Sequence, residues 1–345
     1  MKTYFWKKYR IKNPGLALSV LNNKTKFYKP LLLMLPSIFT VLLFTLIPFL
    51  LVLIKSFQIQ VGFTKGVYTL GFGNYAKIFE TTSFAVAVRN SLMYAILSIP
   101  ISLGISLLIS SAIVQIAKKW AQSFWQTIFF LPYVTSAIAV SMAFSVMFDQ
   151  QDGIVNRILL KWGWIKAPIQ FLTNSTLGSW NSFWIILVRG IWGSLAFQIL
   201  ILTTAMLSVN QDLYKSASID GASSTKQFYT ITLPSIRKTI SFLFTMGLIG
   251  GIKTFPLALF NNSPEKAMSA QGATLILYIF NFTSKGNFAV AGAASVILFV
   301  IGLAFSKSVR QITSWIYLAS VKVGERNVVN KIESKTLSRK PIFKI

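Results

Sequence analysis

Residues 213 to 234 read Leu-Tyr-Lys-Ser-Ala-Ser-Ile-Asp-Gly-Ala-Ser-Ser-Thr-Lys-Gln-Phe-Tyr-Thr-Ile-Thr-Leu-Pro, a polar stretch set between two long apolar runs. Its local signals predict two short helices at an angle. Asn210 or Asp212 is placed to cap a first helix that ends near Ile219. Asp220 and Gly221 then supply a turn, Asp offering a side-chain cap to the following amides and Gly accepting a left-handed backbone. The second helix carries Phe228 and Ile231 on one face at i, i+3 spacing until Pro234 stops it. Such a bent pair is a rigid knob able to transmit a push, which a flexible tether of the same length is not.

Around this stretch the chain is unusually apolar. Hydrophobic residues fill 54% of 345 positions and the mean hydropathy is +0.61, too much apolar surface for so few charges to cover in water, so this is an integral membrane protein. The sequence has no Cys and no His. Thiolate or imidazole metal sites, disulfides and His-based acid–base catalysis are excluded by inventory, and no cofactor is expected. A net charge of +26 is read as topology signal and anionic-lipid contact, with no nucleic-acid partner.

A helix that crosses hydrocarbon needs roughly 20 mostly apolar residues. Six segments qualify: approximately Pro30 to Ile54, Ser91 to Ile116, Trp125 to Phe148, Ser182 to Ser208, Thr239 to Phe260 and Phe288 to Ser306. The expected fold is therefore all-α, six transmembrane helices with a helix-turn-helix loop (209–238) between spans 4 and 5. It is flanked by a basic segment at 1–29 and a basic tail at 311–345, around a membrane domain at 30–310. The first span lacks a small-residue cleavage pattern after a short apolar core and is read as retained. With an inside start, 23 of the 34 Lys and Arg fall on cytoplasmic pieces, nine on outer loops, and Arg189 and Lys253 within spans. The positive-inside bias thus predicts a multi-pass protein of the cytoplasmic membrane with both termini, and the 209–238 loop, in the cytoplasm.

The loop resembles the EAA loop of ABC-importer permeases at Ala217, Asp220, Gly221, Ala222, Phe228, Ile231, Leu233 and Pro234. Two positions depart from that pattern: Lys215 stands where the family has Glu, and Ser216 replaces its first Ala. The reversed charge predicts an acidic residue opposite Lys215 on the partner, or a weaker contact at this subunit. Residues 30 to 310 are similar to the carbohydrate-uptake branch, and the first span, with Leu35-Pro36, Phe44, Pro48 and Ser56-Phe57, looks like the first subunit of a two-permease pair. Gly71-Phe72-Gly73-Asn74-Tyr75 with Phe79 and Asn90, Phe129-Phe130-Leu131-Pro132, Gly153-Ile154-Val155-Asn156 and Trp192-Gly193 follow in the family's order, with Gly73 in place of Asp. The resemblance implies a transport subunit for a sugar, oligosaccharide or polyol. It further implies a second permease, separate cytoplasmic ATPase subunits docking the loop, and an extracellular or lipoprotein solute-binding protein. The sequence has no G-x-x-x-x-G-K-[ST] phosphate loop, so ATP hydrolysis of that kind must belong to a partner.

Polar residues within the spans are candidates for the pathway. Arg189 either snorkels to outer headgroups or hydrogen-bonds substrate hydroxyls. Gln198, Asn261 and Asn262 serve packing, loop or pathway roles, and Lys253, near Pro256, marks a place where a broken helix can free carbonyls or simply kink. Gly247, Gly250 and Gly251 allow close helix approach. Trp120, Trp125, Trp180, Trp184 and Trp315 read as bilayer anchors. Other classes fit the residues less well. A membrane enzyme would need more than the one close acidic pair, Asp149 and Asp152, and an ion-coupled carrier would hold a carboxylate within its spans. An insertase or scaffold, or an ABC permease for another solute, remains as the alternative, and an insertase has no use for an ATPase-docking knob.

Overall fold

The computed structural model describes residues 28–60, 68–116, 118–308 and 311. The readings of the basic N-terminal segment, the C-terminal tail and Trp315 lie almost wholly outside the described residues. Two units are distinguished, Met1–Ile54 and Lys55–Ile345.

In the first unit the described chain is one apolar helical run. Helix α1 (Tyr28–Val41) passes through a single π turn (Leu42–Leu46) into α2 (Ile47–Ser56). Pro48 explains the π turn. It has no N–H, and its ring crowds the carbonyl four residues back, that of Phe44; the i→i+5 bond from Ile47 N–H to Leu42 O widens the turn and moves that carbonyl aside.

The second unit opens with a small departure from the all-α expectation, an antiparallel pair of β1 (Gln58–Gln60) and β2 (Tyr68–Leu70) with Ile59 opposite Thr69. Helix α3 (Gly73–Glu80) holds it through Asn74, whose Nδ2 donates to the carbonyls of Ser56 and Gln58 at 3.0 and 2.9 Å. There follow α4 (Thr82–Val114), α5 (Lys119–Val134), α6 (Ala137–Met147), α7 (Ile154–Lys161) and α8 (Asn181–Leu207). A helical hairpin, α9 (Gln211–Ile219) and α10 (Ser224–Gln227), leads to α11 (Arg237–Ile252), and α12 (Pro264–Ser269), α13 (Leu275–Ser284) and α14 (Phe288–Ser308) complete the described chain.

The structural axis is the seam of α4 with α8, and α11 lies along α4. Ser98, Ser102, Ser106 and Ser110 are buried at four-residue spacing on α4. Gln198 of α8 clamps two of them: its Nε2 donates to Ser102 Oγ at 3.1 Å, and its Oε1 accepts from Ser106 Oγ at 3.0 Å. Small hydroxyl residues let the backbones approach, and Ser110 adds a bond from its Oγ to Ile199 O of α8 at 3.2 Å. Gly247 and Gly251 of α11 meet Ile99 and Ala95 of α4 for the same steric reason.

Several expectations change. Among the described residues, Pro30–Ser56, α4, α8 and α14 are long and apolar enough to cross a membrane, and α5 with α6 makes a fifth if that pair is one span. The expected Trp125 to Phe148 span is not continuous: it bends by 88° between Val134 and Ala137. Pro132 removes a helical N–H just before the bend, and Ser136 starts α6 by accepting from Ala139 N–H. The expected Thr239 to Phe260 span is a helix only to Ile252. Pro256 disfavours helical backbone at Phe255, and a 3₁₀ turn (Leu257–Phe260) follows. Helix α4 begins nine residues earlier than hydropathy places it, and α13 is a ten-residue helix, buried along one face, between the fifth and sixth expected spans.

Asn90 ties α4 to this last region. It is buried, and its Nδ2 donates to the carbonyls of Gln271 and Ala273, both at 2.8 Å. Replacing Asn90 with Ala strands two buried carbonyls, so a loss of about 2–4 kcal/mol is expected. Thermal unfolding of the detergent-solubilised protein, followed by Trp fluorescence, should show a lower midpoint; an unchanged midpoint would refute the role.

Candidate functional site

The hairpin between α8 and α11 is built from recognisable stops and starts. Asn210 caps α9, its side chain accepting from Asp212 N–H at 2.9 Å. The helix ends on Gly221 at φ 72°. There Gly221 N–H bonds Ser218 O at 3.0 Å and Ala222 N–H bonds Ala217 O at 2.9 Å, the crossed pair that closes a helix on a left-handed residue. The side-chain cap expected of Asp220 is supplied by Ser223 instead, which accepts from Lys226 N–H at 3.4 Å.

Pro234 does not stop the second helix as expected. A π turn (Phe228–Thr232) precedes it, with Leu233 N–H on Phe228 O, and the widened turn shifts the Thr230 carbonyl that the proline ring would strike. The Ser235 hydroxyl donates to Ile231 O at 2.7 Å. The chain continues in helical geometry through Leu233–Ser235 and bends at Ile236 into α11.

The hairpin has two faces. Inwards, Tyr214, Phe228 and Ile231 join a cluster around Leu103, Leu202, Met206 and Leu243, at the ends of α4, α8 and α11. The hydroxyls of Tyr214 and Thr232 lie 2.8 Å apart, and Gln227 Nε2 donates to Ser218 Oγ and to Ala222 O, both at 3.0 Å. Outwards, Ile219 is 87% exposed and Tyr229 63%. Asp220, Gly221, Ser216 and Pro234 are also exposed, while Ala217, Ala222 and Leu233 are half-buried. Lys215 is paired within its own helix, Nζ to Asp212 Oδ1 at 2.9 Å, with both side chains 74% exposed. Its charge is answered locally, at a strength of about 0.3–0.5 kcal/mol. Reading the sequence found the turn and the Phe228 face; it missed Ser223, Gln227 and the Tyr214–Thr232 bond, although a Ser just ahead of a short helical stretch is itself a capping signal.

The polar residues of the spans do not gather in one place. Gln198, besides its serine clamp, borders a cavity of about 290 Å³ with Tyr94, Phe197 and Thr254. Asn261, with left-handed backbone, borders a second of about 600 Å³ with Asp149, Gln150 and Lys266. Arg189 reaches from α8 to the α5/α6 break, Nη2 donating to Ala137 O at 2.9 Å. Lys253 is an exposed cap at the end of α11, where the helix stops ahead of Pro256, and Asn262 also has left-handed backbone. Asp149 is a turn residue: its Oδ1 accepts from the Gln151 and Asp152 amides at 2.9 and 3.0 Å. Those amides, that of Asp152 foremost, hold its carboxyl below the usual carboxylate range.

The model of the family described as binding-protein-dependent transport system inner membrane component matches residues 103–312, a stretch that takes in α8, the hairpin and α11. The chain belongs to that family. This inner membrane component is 42% identical over 297 residues to a probable ABC transporter permease protein of Mycoplasma genitalium, covering 86% of this chain and 88% of that protein. It is 28% identical to the arabinooligosaccharides transport system permease protein AraP of Halalkalibacterium halodurans, over 79% of this chain and 85% of that one. Among solved structures, a bacterial ABC transporter involved in the import of the acidic polysaccharide alginate superposes with a TM-score of 0.68, covering 91% of this chain and 99% of that chain at 22% identity. At that identity the likeness is one of fold.

In this permease Gly221 sets the angle between α9 and α10. Gly221→Val forces a branched residue into left-handed backbone and should cost about 1–2 kcal/mol locally. Amide hydrogen exchange should quicken across 211–222 while α4 and α8 keep their protection, and Gly221→Asn should recover most of the loss. Equal exchange in all three proteins would remove Gly221 from this role.

Proposed function

We propose that this permease is one of two transmembrane subunits of an ATP-driven importer for sugars, oligosaccharides or related polyols, and that the 209–238 hairpin is its contact with a separate cytoplasmic ATPase. The observation that carries the reading is the hairpin's construction: exposed apolar side chains, Ile219 and Tyr229 foremost and then Leu213, on a frame closed by backbone and side-chain bonds and rooted among α4, α8 and α11. The arabinooligosaccharide permease among the relatives favours a carbohydrate cargo. A second permease, a pair of ATPase subunits and an extracellular binding protein complete the assembly. The chain crosses the membrane six times, counting α5 with α6 as one broken span and the run from Leu233 to Ile252 as another. Both termini and the hairpin lie in the cytoplasm, with the basic ends on anionic lipid.

In this assembly, closure of the ATPase pair on ATP displaces the hairpin as a body. Phe228 and Ile231 pass the displacement to the ends of the long helices, which turn the pathway from inward-facing to outward-facing so that the receptor unloads. Lys215 needs no acidic partner on the ATPase, since Asp212 already meets it. Arg189 serves the pathway and the α5/α6 break together.

Two measurements test the reading. Ile219→Asp with Tyr229→Asp withdraws about 2 kcal/mol or more of apolar contact, so co-purification of the ATPase and substrate-stimulated hydrolysis should both fall by roughly tenfold or more. Full retention of both would sink the docking role. Arg189→Gln should lower uptake by about tenfold through loss of a charge-assisted bond, with the assembly intact on size-exclusion chromatography; normal uptake would remove Arg189 from the pathway.

A further inference from the structure

Helix α7 is turned the wrong way for a helix in water. Ile154, Ile158 and Trp162 stand four residues apart and are 55%, 41% and 62% exposed, whereas polar Asn156 is buried on the other side. A water-facing helix hides such a stripe. Next to it run the basic residues Arg157 and Lys161; Arg157 is occupied by Asp152, with Nη2 to Oδ1 at 3.7 Å. After α7 the chain reverses at Gly163, φ 71°, with Trp164 N–H on Leu159 O at 3.0 Å. The reversal sets the Trp164 ring edge-to-face against Trp162 at 5.2 Å, and Trp164 is itself 71% exposed. Lys166 follows, also exposed.

The position of this surface along the bundle is fixed by hydrogen bonds. Asn156 donates through Nδ2 to Ile169 O and accepts through Oδ1 from Ile169 N–H, both at 3.0 Å. One residue on, Gln170 O accepts from the side chain of Asn181, the first residue of α8, at 3.0 Å, and Ser182 Oγ donates to Phe171 O at 3.1 Å. Helix α7 is therefore held at the end of a membrane-spanning helix. Where α8 spans a bilayer, that end lies at the level of the headgroups.

We propose that residues 154–166 form a foot lying in the headgroup layer, with the Ile154–Ile158–Trp162 stripe and Trp164 at the acyl boundary and Lys161 and Lys166 on anionic lipid phosphates. Indole rings combine an apolar body with one polar N–H and collect at this depth, and long basic side chains reach from it to phosphate. The foot would fix the height of the α7–α8 connection in the bilayer and make it sensitive to lipid charge. The inference requires that α8 spans the membrane; it does not require the ATPase contact proposed for the hairpin.

This chain lacks Cys, so single nitroxides can be placed through Ile158→Cys and Trp164→Cys in this subunit, labelled before assembly into the complete transporter and reconstituted in phosphatidylglycerol/phosphatidylcholine vesicles without receptor. Both labels should collide readily with oxygen and poorly with a water-soluble nickel chelate, at a depth near the headgroup boundary. Lys161→Ser and Lys166→Ser should each lower the ratio of immersed to lifted label by about fivefold in anionic vesicles, and little in purely zwitterionic ones. Free access of the nickel chelate at both positions overturns the proposal. So does protection that arises only when the solute-binding protein is added, which would assign the surface to protein docking. Reduction by external ascorbate reports sidedness separately: a foot on the cytoplasmic face would reverse the topology proposed above while the depth still decides the lipid contact.

Discussion

Hydrocarbon offers no hydrogen bonds, so every interruption of a helix beside the membrane exposes backbone groups that cost several kcal/mol each unless the protein itself satisfies them. The irregular stretches of this permease are organised by that constraint. Asn90 and Ser91 on α4 hold the 271–275 segment, Ser91 Oγ accepting from Leu275 N–H at 2.8 Å. Ser182 on α8 reaches Ala270 O at 2.7 Å, and Thr274 reaches back to Thr254 O at 2.9 Å. Arg89 of α4 donates to the carbonyls of Gly178 and Ser179 with its guanidinium over the Trp180 ring at 4.2 Å. Arg189 does the same service at the start of α6. Helices α4 and α8 thus act as splints. Their polar residues sit where neighbouring chain has left regular helix.

The hairpin obeys other rules, with most of its polar side chains exposed. Its turns close with local caps, a glycine and crossed backbone bonds, devices that work without a surrounding core. Only its inner face depends on the membrane part, through Tyr214, Phe228 and Ile231. This division explains why the hairpin could be read so far from sequence. The Asn210 cap, the Asp-Gly turn and the Phe228/Ile231 face are local signals, whereas the substitution of Ser223 for Asp220 as cap depends on backbone geometry that either residue could have joined.

The membrane part yielded less. Hydropathy located the long apolar runs, but a span that is apolar on all sides has no amphipathic period to fix its ends, so α4 was misplaced at its start by nine residues. The break between α5 and α6 was foreshadowed by Pro132, yet the same residue type at Pro100 lies inside a continuous α4. Context decides whether a proline kinks or is carried. Helix α13 escaped notice because ten residues are too few for a span and its Leu275, Leu277 and Tyr278 are buried by tertiary contacts. The serine ladder on α4 went unread too, although its four-residue repeat is present in the sequence.

The two π turns among the described residues share one construction. Each ends two residues before a proline, Leu42–Leu46 before Pro48 and Phe228–Thr232 before Pro234, and in each the proline's crowded carbonyl falls within the widened turn. At the hairpin this places a soft joint between Phe228 and α11, while Phe228 itself is packed into the cluster that includes Leu103 of α4 and Leu202 of α8. Those two long helices are locked by the Gln198–serine bonds. The seam of α11 with α4 is made instead of Gly247 and Gly251 against Ile99 and Ala95. A smooth seam next to a widened turn yields more readily than a hydrogen-bonded one. On the proposed ATPase contact, a push at Ile219 would pass stiffly into α4 and α8 and leave α11, whose seam with α4 lacks such side-chain bonds, to move against them.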